Sequence, residues 1–121
     1  MSFFAGEAYC GLHYNGHLAS PADAEENEFL QLRLIEHYAQ HLDIWHYVWI
    51  GAYRFDGTDN WTFTTGKPVT YTDWHSGQPD DYDYGDACVV LYGHFPSNWL
   101  FDWADYLCER GNDFPFVCQE N

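Results

Sequence analysis

The sequence contains very little positive charge. Only 4 of its 121 residues are Lys or Arg, against 19 Asp and Glu, and the formal net charge at pH 7 is −15. Binding to nucleic acid or to an anionic membrane surface depends on clustered Lys and Arg, so neither partner is expected. Aromatic residues make up 21% of the chain, which excludes a disordered acidic tail. The partners that suit this charge are cations and neutral polar molecules.

Long apolar segments are also missing. No run approaches the ~20 apolar residues that span a bilayer, so no membrane insertion is expected. The first ten residues, MSFFAGEAYC, lack the basic start and the apolar middle of a signal peptide. A length of 121 residues fits one domain with a single hydrophobic core.

Metal-binding and redox motifs of cysteine are absent as well. The four cysteines are Cys10, Cys88, Cys108 and Cys118. They form no C-x-x-C, and no pair lies close to a matching His, which argues against zinc or thioredoxin-like chemistry. Two disulfides are therefore expected, and they imply an oxidising compartment and a secreted or extracellular protein. Spacing alone leaves three pairings open.

Catalytic motifs are not found either. No serine or cysteine nucleophile motif occurs, and no pair of carboxylates is marked out for glycosidase chemistry. His37 and His41 have the i, i+4 spacing of a metal-binding helix, but Tyr38 stands where H-E-x-x-H has its Glu. Solvent-facing histidines are the favoured interpretation, and we expect no enzyme.

The pattern of apolar residues predicts helices first and strands later. Ser20 and Pro21 are expected to begin the main helix, which runs to about Gln40, and a shorter helix is expected over residues 3–10. The apolar face of the main helix is predicted to comprise Phe29, Leu30, Leu32, Leu34, Ile35 and Tyr38. Strands are expected at residues 47–50, 89–92 and 114–117, and Trp49, Trp61, Trp74 and Trp103 are expected in the core. Helices followed by short strands predict an α+β domain.

One stretch concentrates negative charge. Residues 74–88, WHSGQPDDYDYGDAC, contain Asp80, Asp81, Asp83 and Asp86 but no Lys or Arg. Like charges this close repel, and no basic residue nearby in sequence relieves them. Either the stretch is a solvated loop, or a cation lies among the acids.

Several short motifs follow one another in order along the whole chain. They are GHLAS at 16–20, AEENEF at 24–29, WIG at 49–51, Trp61, Gly66, Trp74, QPD at 78–80, WAD at 103–105, and the cysteines. Together they resemble the C-type lectin-like domain. The resemblance implies one domain over residues 1–121, with two helices packed on small antiparallel sheets beside a long calcium-binding loop region. It also implies disulfides between Cys10 and Cys118 and between Cys88 and Cys108.

The start of the chain departs from this family. The family's first strand has no counterpart, because Met1 falls at the first helix. We therefore expect a front end, with its signal peptide, to precede this sequence.

The resemblance implies a Ca²⁺ site that also holds a sugar. The metal ligands would be Gln78, Asp80, Asp86 and Asp105, and Ca²⁺ takes about 6–8 oxygen ligands of such kinds. Proline between two ligands can adopt a cis peptide bond. The Asn that the family has before its strand acid is replaced by Ala104, and Asp86 stands where the family usually has Glu.

The order Gln-Pro-Asp resembles the galactose-type pattern of the family. The carbohydrate-binding residues would be the four metal ligands together with Tyr82, whose ring could stack on galactose. The implied function is calcium-dependent binding of galactose-type glycans or glycoproteins. These residues also allow two simpler interpretations. Gln78-Pro79-Asp80 could form an ordinary turn, and Tyr82 could pack under the loop. The alternative function is a lectin-like domain that recognises a protein surface without binding sugar, which Ala104 and Asp86 favour.

Overall fold

The computed structural model describes residues 1–41, 45–55, 60–80, 86–94 and 99–120. The elements in chain order are α1 (Phe3–Tyr14), β1 (Gly16–Leu18), α2 (Ala24–His37), β2 (His46–Arg54), β3 (Thr62–Phe63), β4 (Ala87–His94), β5 (Trp99–Leu107) and β6 (Cys118–Glu120). Four strands form one sheet in the order β3-β2-β4-β5, and β1 pairs with β6 in a second sheet. All of these strand pairs are antiparallel. No helix in the described ranges is long and apolar enough to cross a membrane.

The main helix begins later than the sequence predicts. Asp23, rather than Ser20, caps α2, because its Oδ1 accepts a hydrogen bond of 2.8 Å from the backbone N–H of Glu26. Ser20 is buried instead, and its backbone N–H donates to Gln119 Oε1 at 3.2 Å. The prediction that Ser20 and Pro21 start the helix is therefore wrong. The helix also ends at His37, before the predicted end at Gln40.

The buried side of α2 also differs from the predicted apolar face. Leu30 and Leu34 are buried, but Phe29 and Leu32 are 65% and 56% exposed, so their assignment to the core face is wrong. The third buried residue of the helix is a polar one, Asn27, at 1% exposure. Asn27, Leu30 and Leu34 lie on one side at helical spacing, and this side packs toward β5.

Two hydrophobic clusters cover the two faces of the four-stranded sheet. The cluster beneath α2 includes Leu30, Leu34, Val48, Ile50, Val89, Leu91 and Trp103. The cluster beneath α1 includes Phe3, Cys10, Leu18, Trp49, Cys88, Val90 and Ala104. Successive residues of β4 and β5 alternate between the two clusters, because side chains along a strand point to opposite faces. Trp49 and Trp103 are fully buried as predicted, and Trp61 and Trp74 pack against the α2 cluster while partly exposed.

Both implied disulfides are present. Cys10 bonds to Cys118, which ties α1 to β6, and Cys88 bonds to Cys108, which ties β4 to the chain just after β5. The last strand is displaced from its predicted position, since β6 occupies Cys118–Glu120 and residues 114–117 contribute only a bridge between Phe116 and Trp49. The other predicted strands and the first helix are confirmed, and each is longer than expected.

Candidate functional site

The segment that carries the Gln-Pro-Asp motif runs along the outer edge of β5. The backbone N–H of Trp103 donates to Asp73 O, and the N–H of His75 donates to Trp103 O, both at 2.8 Å. The N–H of Gln78 then donates to His75 O at 2.8 Å, which closes a turn. These bonds hold the motif at the edge of the sheet, next to the WAD motif at 103–105.

The motif meets the acid of the neighbouring strand directly. The backbone N–H of Asp80 donates to Asp105 Oδ1 at 3.0 Å, and the Gln78–Pro79 peptide bond is cis. Gln78 Oε1 is buried, and no hydrogen-bond donor from the described part of the chain reaches it. A buried amide oxygen without a donor is costly, and a cation is one of the few groups that can satisfy it. The structure therefore brings the Gln-Pro-Asp motif to Asp105 through the backbone of Asp80.

A further predicted metal ligand, Asp86, does not complete a metal-binding cluster with these residues. Asp86 directly precedes β4, the strand beside β5, and is partly exposed. Across the described ranges, no three His, Cys, Asp or Glu side chains form a group that could hold a metal ion, so Asp86 does not complete a cluster of three carboxylates. Tyr82 lies outside the described residues, as do Asp81 and Asp83.

Ala104 lies between the core and the candidate site. Its side chain is fully buried in the cluster beneath α1, and its register partner on β4 is Val90. A methyl group offers no oxygen ligand, so any metal ligands here must come from the other residues of the site.

A tyrosine that the sequence did not single out lies within the electrostatic reach of the site. Burial, followed in size by the charges of Tyr47, Tyr106, Asp80 and Asp105, raises the pKa of Tyr92 to about 12. Neighbouring negative charge favours the neutral phenol, which explains the sign of the carboxylate contribution. No sequence pattern pointed to Tyr92, because its approach to Asp80 depends on the loop lying along β5.

A buried polar network fastens the same loop to α2. Asn27 Nδ2 donates to Asp73 Oδ2 at 3.0 Å, and Gln31 Nε2 donates to the same oxygen at 2.9 Å. The indole N–H of Trp103 donates to Asn27 Oδ1 at 2.8 Å. The network links α2, β5 and the start of the loop, so Asp73 supports the position of the Gln-Pro-Asp motif. The sequence indicates this network in one way, because Asn27 lies at helical spacing from Leu30 and Leu34 on the same side of α2.

This network predicts how stability depends on pH. Burial is the main cause that raises the pKa of Asp73, and the charge of Asp102 adds to it, although hydrogen bonds from Asn27 and Gln31 act in the opposite direction. Because the pKa of Asp73 is higher in the folded state, folding favours the protonated carboxyl. The stability that this group contributes is complete below its unfolded pKa of 3.8 and is lost as the pH rises through its folded pKa. Asp73→Asn keeps an acceptor oxygen and removes the charge.

The melting temperature of Asp73→Asn should therefore rise relative to wild type between about pH 4 and pH 7, by on the order of a few degrees. Thermal melts at several pH values measure this difference. Glu36→Gln, which removes an exposed charge on α2, is the matched control. If the difference in melting temperature between Asp73→Asn and wild type does not change with pH, the pKa of Asp73 is not raised in the folded protein.

Sequence comparisons identify the family. The family described as "Lectin C-type domain" matches residues 1–120. The chain is 34% identical over 112 residues to the "Alpha-N-acetylgalactosamine-specific lectin" of Patiria pectinifera, covering 86% of this chain and 57% of that protein. It is 29% identical over 119 residues to "Perlucin" of Haliotis laevigata, covering 98% and 70%. The chain thus spans just over half the length of the first of these relatives.

Solved structures agree with the sequence comparison. Human lithostathine is 29% identical and has a TM-score of 0.77, with 99% of this chain and 84% of that chain covered. CEL-IV is 25% identical and has a TM-score of 0.82, with 100% and 81% covered. These likenesses confirm the predicted α+β fold, and a family of lectins confirms the expectation of a protein that is not an enzyme. The chain belongs to the C-type lectin domain family.

Proposed function

We propose that this chain is a calcium-dependent carbohydrate-binding domain that prefers galactose-type sugars. The observation that supports it most directly is the hydrogen bond by which the Gln-Pro-Asp motif meets Asp105 at the edge of β5. The Asp105 carboxylate accepts a hydrogen bond of 3.0 Å from the backbone N–H of Asp80. Gln78, two residues before Asp80, has a buried amide oxygen that lacks a donor in the described ranges. A net charge of −15 favours a cation at this place.

The donor set has the chemistry that Ca²⁺ requires. Ca²⁺ is a hard ion that takes about 6–8 oxygen ligands from carboxylates, amide carbonyls, backbone and water. Gln78, Asp80 and Asp105 would supply side-chain oxygens, and Asp86 would join them from the start of β4. When bound, the ion supplies coordination positions for the hydroxyl groups of a sugar. Asp80 and Asp105 would orient those hydroxyl groups by accepting hydrogen bonds.

The preference for galactose rests on the order of the motif and on a relative. The sequence runs amide-Pro-acid at Gln78-Pro79-Asp80, which resembles the galactose-type pattern. The Patiria pectinifera relative carries the description "Alpha-N-acetylgalactosamine-specific". Galactose-type glycans or glycoproteins are therefore the proposed partners, with Tyr82 as a stacking residue. The two disulfides support a secreted or extracellular location for this function.

A second candidate function is recognition of a protein surface without sugar. Ala104 favours it, because this fully buried methyl group replaces a ligand that the family resemblance implies. The lack of a three-carboxylate group among the described residues points the same way. A Ca²⁺ titration separates the two functions, since only the first requires the ion.

Calcium is expected to stabilise the fold and to be required for sugar binding. An ion that binds only the folded state raises the melting temperature, and at a hundredfold excess over its Kd the gain is about 2.7 kcal/mol. Thermal melts in Ca²⁺ and in chelator measure the first effect, with Mg²⁺ as the control ion. Calorimetry with galactose, and with mannose as the control sugar, measures the second. Coincident melts together with no heat from galactose would reject this function in favour of protein recognition.

A further inference from the structure

A second sequence motif, Asn60-Trp61-Thr62, lies outside the candidate sugar site. It is the chain's single Asn-x-Ser/Thr sequence, the pattern that accepts an N-linked oligosaccharide. The pattern alone does not make a site, because the asparagine must lie on the surface with room for a bulky, hydrated group. The structure describes all three residues, so their positions decide whether the motif can be used.

Side chains of this motif alternate between the core and the opposite side of the chain. Trp61 and Phe63 both pack in the hydrophobic cluster beneath α2. Asn60 is exposed, and Thr62 is partly buried. Because successive side chains of an extended chain point to opposite sides, Asn60 and Thr62 lie on the side away from this cluster. The acceptor amide and the hydroxyl group of the motif therefore share one side of the chain.

Contacts of the middle residue hold the motif in place. The backbone N–H of Val69 donates to Trp61 O at 3.1 Å. The rings of Trp61 and Trp74 have centroids 5.0 Å apart, and the guanidinium carbon of Arg54 lies 5.3 Å from the centre of the Trp61 ring. Trp61 is therefore the anchor of the motif, and the exposed Asn60 beside it is presented at the surface.

The acceptor lies near the edge of the four-stranded sheet that is opposite to β5. Asn60 comes two residues before β3, and the order β3-β2-β4-β5 makes β3 one edge strand and β5, which carries Asp105, the other. Phe55 directly follows β2, the partner of β3, and is 54% exposed. Phe55 and Asn60 thus flank residues 56–59, so a hydrated glycan on Asn60 would lie beside an exposed apolar ring and attach away from the strand of Asp105.

We infer that Asn60 is a site of N-linked glycosylation, with an oligosaccharide linked to a lipid diphosphate as the donor. A transferase of the secretory route catalyses the step. The bond between C1 of the sugar and the diphosphate oxygen breaks, and a bond between that C1 and Asn60 Nδ2 forms. The amide nitrogen loses one proton, and the lipid diphosphate leaves with the electron pair of the broken bond. The two disulfides support passage through this oxidising route, and the step depends neither on Ca²⁺ nor on the candidate sugar site.

Expression of the full chain behind a secretory leader in animal cells tests the site. Wild type should carry one glycan, seen as a mobility shift that peptide N-glycosidase removes and as a modified Asn60 peptide in mass spectrometry. Asn60→Gln removes the acceptor, and Thr62→Val removes the hydroxyl group while keeping a β-branched side chain, so both should lose the shift completely. Thr62→Ser keeps the hydroxyl group and should keep the glycan. Asn112→Gln, which changes an exposed asparagine outside the motif, is the matched control and should also keep it.

Secreted and cell-associated protein are both analysed, so that the result does not depend on export. Absence of the glycan from wild type in both fractions overturns the inference, as does a glycan that persists in Asn60→Gln or in Thr62→Val. Mass spectrometry of the wild-type peptide locates the glycan directly, so the test holds even where a variant fails to fold. Galactose binding in Ca²⁺ is measured on deglycosylated wild type, and its failure would reject the proposed function but not the glycosylation site.

Discussion

Removal of the Cys10–Cys118 disulfide, by the double substitution Cys10→Ala and Cys118→Ala, is expected to lower the free energy of unfolding by about 5 kcal/mol. The bond closes a loop with a sequence separation of 108 residues, and a cross-link of that span removes much entropy from the unfolded chain. A domain of this size typically has a stability of about 5–15 kcal/mol, so the variant should approach the limit of folding. Urea unfolding monitored by tryptophan fluorescence measures the change.

The second disulfide provides the matched control. Cys88 and Cys108 are separated by only 20 residues, so Cys88→Ala with Cys108→Ala should cost about 3 kcal/mol by the same entropy argument. Cys10, Cys88 and Cys108 are all buried, so the smaller alanine leaves a cavity in both variants. A larger loss for the Cys88 and Cys108 pair would show that local packing outweighs loop entropy here.

Loss of the Asp105 charge is expected to abolish calcium-dependent sugar binding. Groups that only support a metal ligand contribute about 10–100-fold to metal affinity, so neutralising a ligand should weaken Ca²⁺ binding on the order of a hundredfold or more. In Asp105→Asn the amide oxygen can still accept the hydrogen bond from the Asp80 N–H, which preserves the local geometry. The variant therefore separates the charge of residue 105 from its structural role.

Calorimetry with Ca²⁺, followed by galactose binding on coated surfaces, measures this loss. The melting temperature in chelator should stay close to that of wild type in chelator, which shows that the fold is intact. Glu36→Gln removes an exposed charge from α2 and should bind as wild type does. An unchanged Ca²⁺ affinity in Asp105→Asn would mean that Asp105 is not a ligand and that the ion binds elsewhere.

Several features of the fold could be predicted because they depend on local chemistry or on a fixed order of motifs. The first helix and the strands at residues 47–50 and 89–92 are short-range patterns, and the structure contains all of them. The pairing of Cys10 with Cys118 came from the family resemblance, since spacing alone allowed three connectivities. The family assignment likewise rested on the order of motifs over the whole chain.

The errors occurred where two local signals competed. Ser20 and Asp23 are both residue types that cap helices well. The backbone of Ser20 bonds to Gln119 in β6, which is distant in sequence, and Asp23 caps α2 instead. The apolar residues of α2 cover more than one side of the helix, so periodicity could not tell which side would be buried. Packing against β5 buries Leu30 and Leu34 and leaves Phe29 exposed.

The sequence by itself determined the family, the negative charge and the residue types of the candidate site, because these are properties of composition and motif order. Only the tertiary structure decided which groups meet. Asn27 and Asp73 are 46 residues apart in sequence, and their hydrogen bond exists because the loop lies along β5 beneath α2. The rings of Tyr47 and Tyr92 likewise meet, with centroids 4.8 Å apart, because antiparallel register sets the two residues opposite each other. Such contacts between distant residues follow from strand register and packing, which no local pattern encodes.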